Sequence, residues 1–99
     1  MREVQTCHDL QTVRHHIDRI DRDIVTALAE RGGYVQQAAA FKRNEQEVQA
    51  PRRVEQVIER VRAMAEEQQA DPEVVEQVYR AMIAAFIDAE TRTHQGNSD

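Results

Sequence analysis

The chain predicts an all-α fold of three helices, one long and two shorter, forming an intertwined helical homodimer. Three observations lead there. From Leu10 onward, apolar residues recur at steps of three, four and seven, the spacing of one helical stripe. Strand and turn formers are scarce, with 4% aromatic residues, 3 Gly and 2 Pro in 99 residues. The first helix is also too long for its neighbours to cover, so a second copy of the chain is the economical cover.

Composition narrows the function classes. Hydrophobic content is 40% and charged content 31%, which suits a small, soluble, helix-rich protein. The length points to one domain, residues 10–94, between an N-terminal tail (residues 1–9) and a C-terminal tail (residues 95–99). A formal net charge of −5 argues against nucleic-acid and anionic-membrane partners. Cys7 stands alone, so there is no disulfide framework and no CxxC metal site. The absence of a signal-peptide pattern and of an apolar run of membrane-spanning length implies a cytoplasmic, reduced setting.

Each element has local signals. Leu10, Val13, Ile17, Ile20, Ile24, Leu28, Val35 and Ala38 form the first stripe, with Asp9 or Thr12 as its cap. Asp18–Arg22 and Arg19–Asp23 support the solvated side as i,i+4 pairs. Gly32-Gly33 costs roughly 1 kcal/mol per glycine relative to alanine in a helix interior. A break there is the alternative, but Leu28 and Val35 stay in phase across the pair. The sequence therefore predicts one helix over residues 10–42, about 50 Å long at ~1.5 Å per residue.

Residues 43–50 are polar and lose the period, which predicts a loop. Pro51 fits the first position of the second helix, whose apolar face is Val54, Val57, Ile58, Val61, Met64 and Ala65. This helix ends near residues 68–70, at a length of about 27 Å. Asp71-Pro72-Glu73 is a helix start: a capping acid, Pro at the first position and an acid in the first turn. Val74, Val75, Val78, Met82, Ile83, Ala85, Phe86 and Ile87 carry the third helix to about His94.

The stripe contains two cations. Arg31 and Lys42 project within about 20° of each other and ~16 Å apart along a continuous helix. Their long side chains can converge on one small anionic ligand, or snorkel to water, or pair with Glu on a neighbouring helix. Arg14 lies at the stripe's edge, ~25 Å from Arg31 and ~42 Å from Lys42. It cannot share their site within one straight helix, but across an antiparallel dimer it can. The plainer alternative is a surface pair with Asp18.

Glu90 falls within about 20° of Tyr79 and Ile83 in projection, inside the apolar arc of the third helix. Burial favours the protonated form of a carboxyl and nearby cations favour the ionised form, so both states stay open. A glutamate curling out to water at the helix end is the other reading. Arg53, at the edge of the second stripe, can reach the loop or simply face solvent.

Other chemistries fit poorly. His15 and His16 are adjacent, point ~100° apart and make no metal pair. Gly32-Gly33 has no strand before it and no Lys-Ser/Thr after it, so it is no phosphate loop. The expected ligand is a compact polyanion in a cationic pocket, held without metal or cofactor, where bidentate arginines suit carboxylates.

The run Arg14-x-x-Ile17-Asp18-Arg19-Ile20-Asp21-x-x-x-Val25-x-x-Leu28-Ala29-Glu30-Arg31, followed by Val35, Lys42 and Pro51-x-Arg53, resembles the all-α chorismate mutase family over residues 10–90. Within it, the short connection and the overall spacing look most like the isochorismate-pyruvate lyase branch. The resemblance implies a homodimer with two equivalent sites and a small dicarboxylate substrate, chorismate or isochorismate. It implies that Arg14 of the partner subunit and Arg31 hold the carboxylates. Lys42 and Glu90 would flank the ether oxygen of the breaking bond, and Arg53 would be a secondary contact near the ring. The position matching Glu90 is often Gln in that family, and a Glu must be protonated to donate there, which implies activity favouring lower pH. The activity implied is conversion of chorismate to prephenate. The alternative is isochorismate-pyruvate lyase, then an amino-deoxychorismate mutase, then a non-catalytic helical dimerisation module.

Overall fold

The computed structural model describes residues 3–96, with the side chains of Glu45 and residues 93–96 excepted. Every regular element among them is helical: α1 (Leu10–Ala39), α2 (Glu45–Gln49), α3 (Pro51–Glu67) and α4 (Pro72–Gly96). The outermost parts of the two expected tails, residues 1–2 and 97–99, lie outside the described residues, as does the His94 side chain. The chain divides into two compact units, Met1–Tyr34 and Val35–Asp99.

The first unit is most of α1. Asp9 is its cap: Oδ1 accepts the Thr12 amide at 2.7 Å and Oδ2 accepts the Thr12 hydroxyl at 3.1 Å. These bonds, the backbone one foremost, hold the Asp9 carboxyl below its ordinary value, as expected for a carboxylate satisfying orphan amides at a helix start. No residue of α1 is buried; Leu10 is 60% exposed and Ile24 51%. The aliphatic stripe from Leu10 to Ile24 is therefore exposed, and Leu28 is half-buried.

The helix runs through Gly32-Gly33 without interruption. Neither glycine needs a positive φ, and a Cβ at Gly33 meets nothing within 4 Å. Nothing in the backbone demands glycine at position 33. Gly33→Ala is accordingly expected to stabilise the fold by about 1 kcal/mol, read as a raised midpoint in urea unfolding; an unchanged or lowered midpoint would mean that something outside the single chain occupies that space.

In the second unit α1 ends sooner than its stripe implies. Ala40, Phe41 and Lys42 donate their amides to Gln37, Ala38 and Ala39 at 3.2, 3.0 and 3.1 Å. These are i→i−3 bonds, which tighten and finish a helix rather than extend it. Lys42 thus lies three residues past α1, not on it. The expected loop at residues 43–50 is also corrected, because it contains α2. Asn44 caps α2 by accepting the Glu47 amide at 3.0 Å, and Val48 is 1% exposed.

Helices α3 and α4 form an antiparallel hairpin. Its turn is closed by Gln69 at φ 60, with Ala70 donating to the Ala65 carbonyl at 2.8 Å and Gln69 to that of Glu66 at 3.2 Å. This is a Schellman ending, with Gln where Gly is usual. Asp71 then caps α4 by accepting the Glu73 amide at 2.9 Å. Val57, Ile58 and Val61 of α3 bury against Ile83 of α4, flanked by Val54, Val75, Tyr79 and Ile87. The centre of each face is as the helical spacing predicts, but Met64, Val74, Val78 and Ala85, also expected there, are exposed, because their positions lie at the edges of the contact between the two helices. Helix α4 continues past His94 to Gly96.

A ladder of charges runs along the outside of the hairpin. Arg80 binds both Glu55 oxygens, at 2.9 and 3.1 Å, and Glu76 at 2.7 Å. Arg62 joins Glu76 to Glu73. Arg80 holds Glu55 below its ordinary value of 4.5. Arg80 and then Arg62 do the same to Glu76. A carboxyl depressed by folding contributes stability above its unfolded value and loses it as pH falls through its folded value. The melting temperature is therefore expected to drop between about pH 5 and pH 3, and Arg80→Ala should make that drop shallower. Equal slopes for both proteins would show that the ladder does not couple to acid unfolding.

Among the described residues, no helix is long and apolar enough to cross a membrane.

Candidate active site

One charged residue among those described is buried: Glu90, 8% exposed, near the end of α4. A carboxylate removed from water needs a partner. Lys42 supplies it. Its Nζ donates to Oε2 at 3.0 Å and to Oε1 at 3.4 Å, a charge-assisted contact with one ammonium spanning both oxygens. The Lys42 side chain is 23% exposed, so the ammonium is stripped of part of its water and keeps an open side. An ammonium has three donors, and this one is pinned by a carboxylate without being enclosed by it.

Local structure explains the meeting. Position 90 falls on the inward face of α4 because it continues the stripe of Tyr79 and Ile83, as the helical spacing predicts. Lys42 reaches it for a different reason from the one the sequence suggests. It is delivered by the tight turn after α1, and its neighbour Arg43 is tied to α2. The Arg43 amide donates to Glu47 Oε2 at 2.6 Å and its Nε to Oε1 at 3.0 Å. Those bonds, the backbone one first, hold the Glu47 carboxyl below its ordinary value.

The remaining expected site residues are placed as follows. Arg14 is exposed and Arg31 half-buried, both on α1 in the first unit. Arg53 is exposed on α3 and forms no ion pair among the described residues. The structure therefore brings Lys42 and Glu90 into contact.

Two features escape a reading of the sequence by periodicity. Thr91 buries its hydroxyl oxygen with no partner among the described residues, an uncommon state for a buried polar atom. Nothing in its spacing singles it out. Helix α2 does carry a signal: Asn44 followed three residues on by Glu47 has capping-box spacing. A concavity of about 290 Å³ also lies between Gln49, Pro51 and Val54 on one side and Ile83, Ala84 and Ile87 on the other. The paired Glu55 and Arg80 also line it, whereas Lys42 and Glu90 do not.

Fold and site together define a class: a small all-helical protein with a half-buried lysine paired to a buried carboxylate near the end of its helical hairpin. The chain belongs to the chorismate mutase type II family, whose sequence model matches residues 13–91. It is also similar to the isochorismate pyruvate lyase of Pseudomonas aeruginosa, with 38% identity over 87 residues, covering 88% of this chain and 86% of the lyase. The chain is thus an enzyme of the chorismate mutase type, and both matches span α1 to α4.

Proposed function

We propose that this chain converts chorismate to prephenate as a homodimer, by holding the folded conformer of the substrate and placing fixed positive charge beside its ether oxygen. The observation that carries the reading is the pairing of half-buried Lys42 with buried Glu90, with Nζ 3.0 Å from Oε2, in a chain of this family. The reaction is a pericyclic shift within one molecule. The ether C–O bond breaks as a C–C bond forms, and neither a nucleophile nor a cofactor is required. What the protein adds is orientation and charge aimed at the oxygen that becomes negative.

In this reading Lys42 carries that charge. Glu90 in its ionised form fixes the Lys42 ammonium, and in its protonated form donates to the same oxygen. Arg31 and the partner subunit's Arg14 hold the substrate's two carboxylates in bidentate fashion. Arg53 is a secondary contact near the ring. The exposed aliphatic stripe of α1 supports the dimer, since an uncovered face of this extent fits burial against a second copy.

A second reading has its own support, the 38% identity to an isochorismate pyruvate lyase. The same charge would assist isochorismate. Its C–O bond breaks while a ring hydrogen moves to the enolpyruvyl methylene, leaving salicylate and pyruvate. Incubating the protein with chorismate and with isochorismate in parallel separates the readings. Loss of chorismate absorbance with prephenate formed supports the mutase, and salicylate fluorescence from isochorismate alone replaces it with the lyase.

A further inference from the structure

Helix α2 is too short to stand alone, since five residues barely close one helical turn and nucleation is unfavourable. Its sequence, EQEVQ, has one apolar side chain, Val48. That side chain is the most buried among the described residues, at 1% exposure, and α2 packs against α4. The far end is strained: Ala50 adopts φ 38, in the left-handed region that a Cβ disfavours. A helix held by one anchor against a strained exit depends on that anchor.

The near end leads to Lys42. The Glu47 carboxylate takes the Arg43 amide, Asn44 takes the Glu47 amide, and the Lys42 amide is bound to Ala39 at 3.1 Å. The backbone around Lys42 is therefore fixed on one side by α1 and on the other by α2. Glu90 sits on α4, the helix that receives α2. Seating α2 and presenting Lys42 to Glu90 are thus coupled placements on a single element.

We propose that Val48 is a positioning residue: by seating α2 on α4, it holds the Lys42 ammonium against Glu90. The effect on turnover rests on the proposed role of Lys42. The Lys42–Glu90 contact itself can be observed without substrate.

The test uses the full chain with ¹³C-labelled glutamate carboxyls, the Glu90 resonance being assigned through Glu90→Gln. Lys42→Ala gives the resonance position of an unpaired Glu90. Val48→Ala is expected to move the Glu90 resonance most of the way to that position. It should also lower kcat/KM for chorismate by roughly 10²-fold, as a displacement near 1 Å does. Val48→Ile, which keeps a β-branched apolar anchor with one methylene more than Val, is expected to leave the resonance much nearer its original place than Val48→Ala does. A folded Val48→Ala protein whose Glu90 resonance stays put overturns the proposal. If Val48→Ala does not fold, Val48→Thr decides instead, since it keeps the side-chain shape and puts a hydroxyl in the apolar seat; a shifted resonance supports the proposal and an unmoved one overturns it. A chain that turns over neither substrate, yet releases Glu90 on Val48→Ala, loses the proposed function and keeps this positioning. Turnover with a Glu90 resonance indifferent to Val48 does the reverse.

Discussion

Lys42→Ala is expected to lower kcat for chorismate by about 10²–10³-fold, the loss associated with removing one preorganised electrostatic donor. Helix content should be retained, because Lys42 lies outside every helix and the hairpin core of Val57, Ile58, Val61 and Ile83 does not include it. The cost to stability is smaller than for a fully enclosed pair, because the ammonium keeps 23% of its exposure and water can reach the carboxylate left behind. Stopped-flow or steady-state turnover beside far-ultraviolet circular dichroism separates the two effects. Retained turnover in a folded variant would remove Lys42 from the chemistry.

The second large effect concerns the shared site. Arg14→Ala and Lys42→Ala proteins are each expected to be inactive alone. Unfolded together in equal amounts and refolded, they should regain about a quarter of the unsubstituted activity. Half the dimers are mixed, and in each mixed dimer one of the two sites combines an intact Lys42 with the partner subunit's intact Arg14. Activity no greater than the sum of the separate variants would rule out donation across chains.

What the sequence made legible was local. Asp9 and Asp71 announce helix starts because a capping carboxylate acts on amides two or three residues away. The inward faces of α3 and α4 are legible because burial enforces the 3.6-residue period at Val57, Val61, Ile83 and Glu90. Lys42 shows the limit of the same reasoning. An i→i−3 turn can leave a stripe apparently in phase for a few residues, so counting apolar steps carries the helix past Ala39, where its bonds have ended. Helix α2 is invisible to periodicity for a simpler reason: one apolar residue has no period. The short polar stretch around Val48 reads as a loop unless Asn44 and Glu47 are seen as a cap. The Glu55–Arg80–Glu76–Arg62 ladder needs two helices in register and has no signature along the chain.

The two roles assigned to the first helix also separate physically. Its stripe keeps its phase through Gly32-Gly33 with Arg31 set among its aliphatic residues, exposed from Leu10 to Ile24 and half-buried at Leu28 and Val35. The lysine once counted in that stripe belongs instead to the turn that follows, where Glu90 fixes it. On the proposals above, orientation of that lysine is set by α2 and α4, and the stripe is covered by the second chain of the proposed dimer.

The most direct test is the rate of chorismate loss catalysed by the purified chain without added cofactor, followed by absorbance between roughly pH 5 and pH 8, with isochorismate run alongside. Turnover of chorismate that falls about 10²–10³-fold in Lys42→Ala is the expected result. No turnover of either substrate anywhere in that range would contradict it.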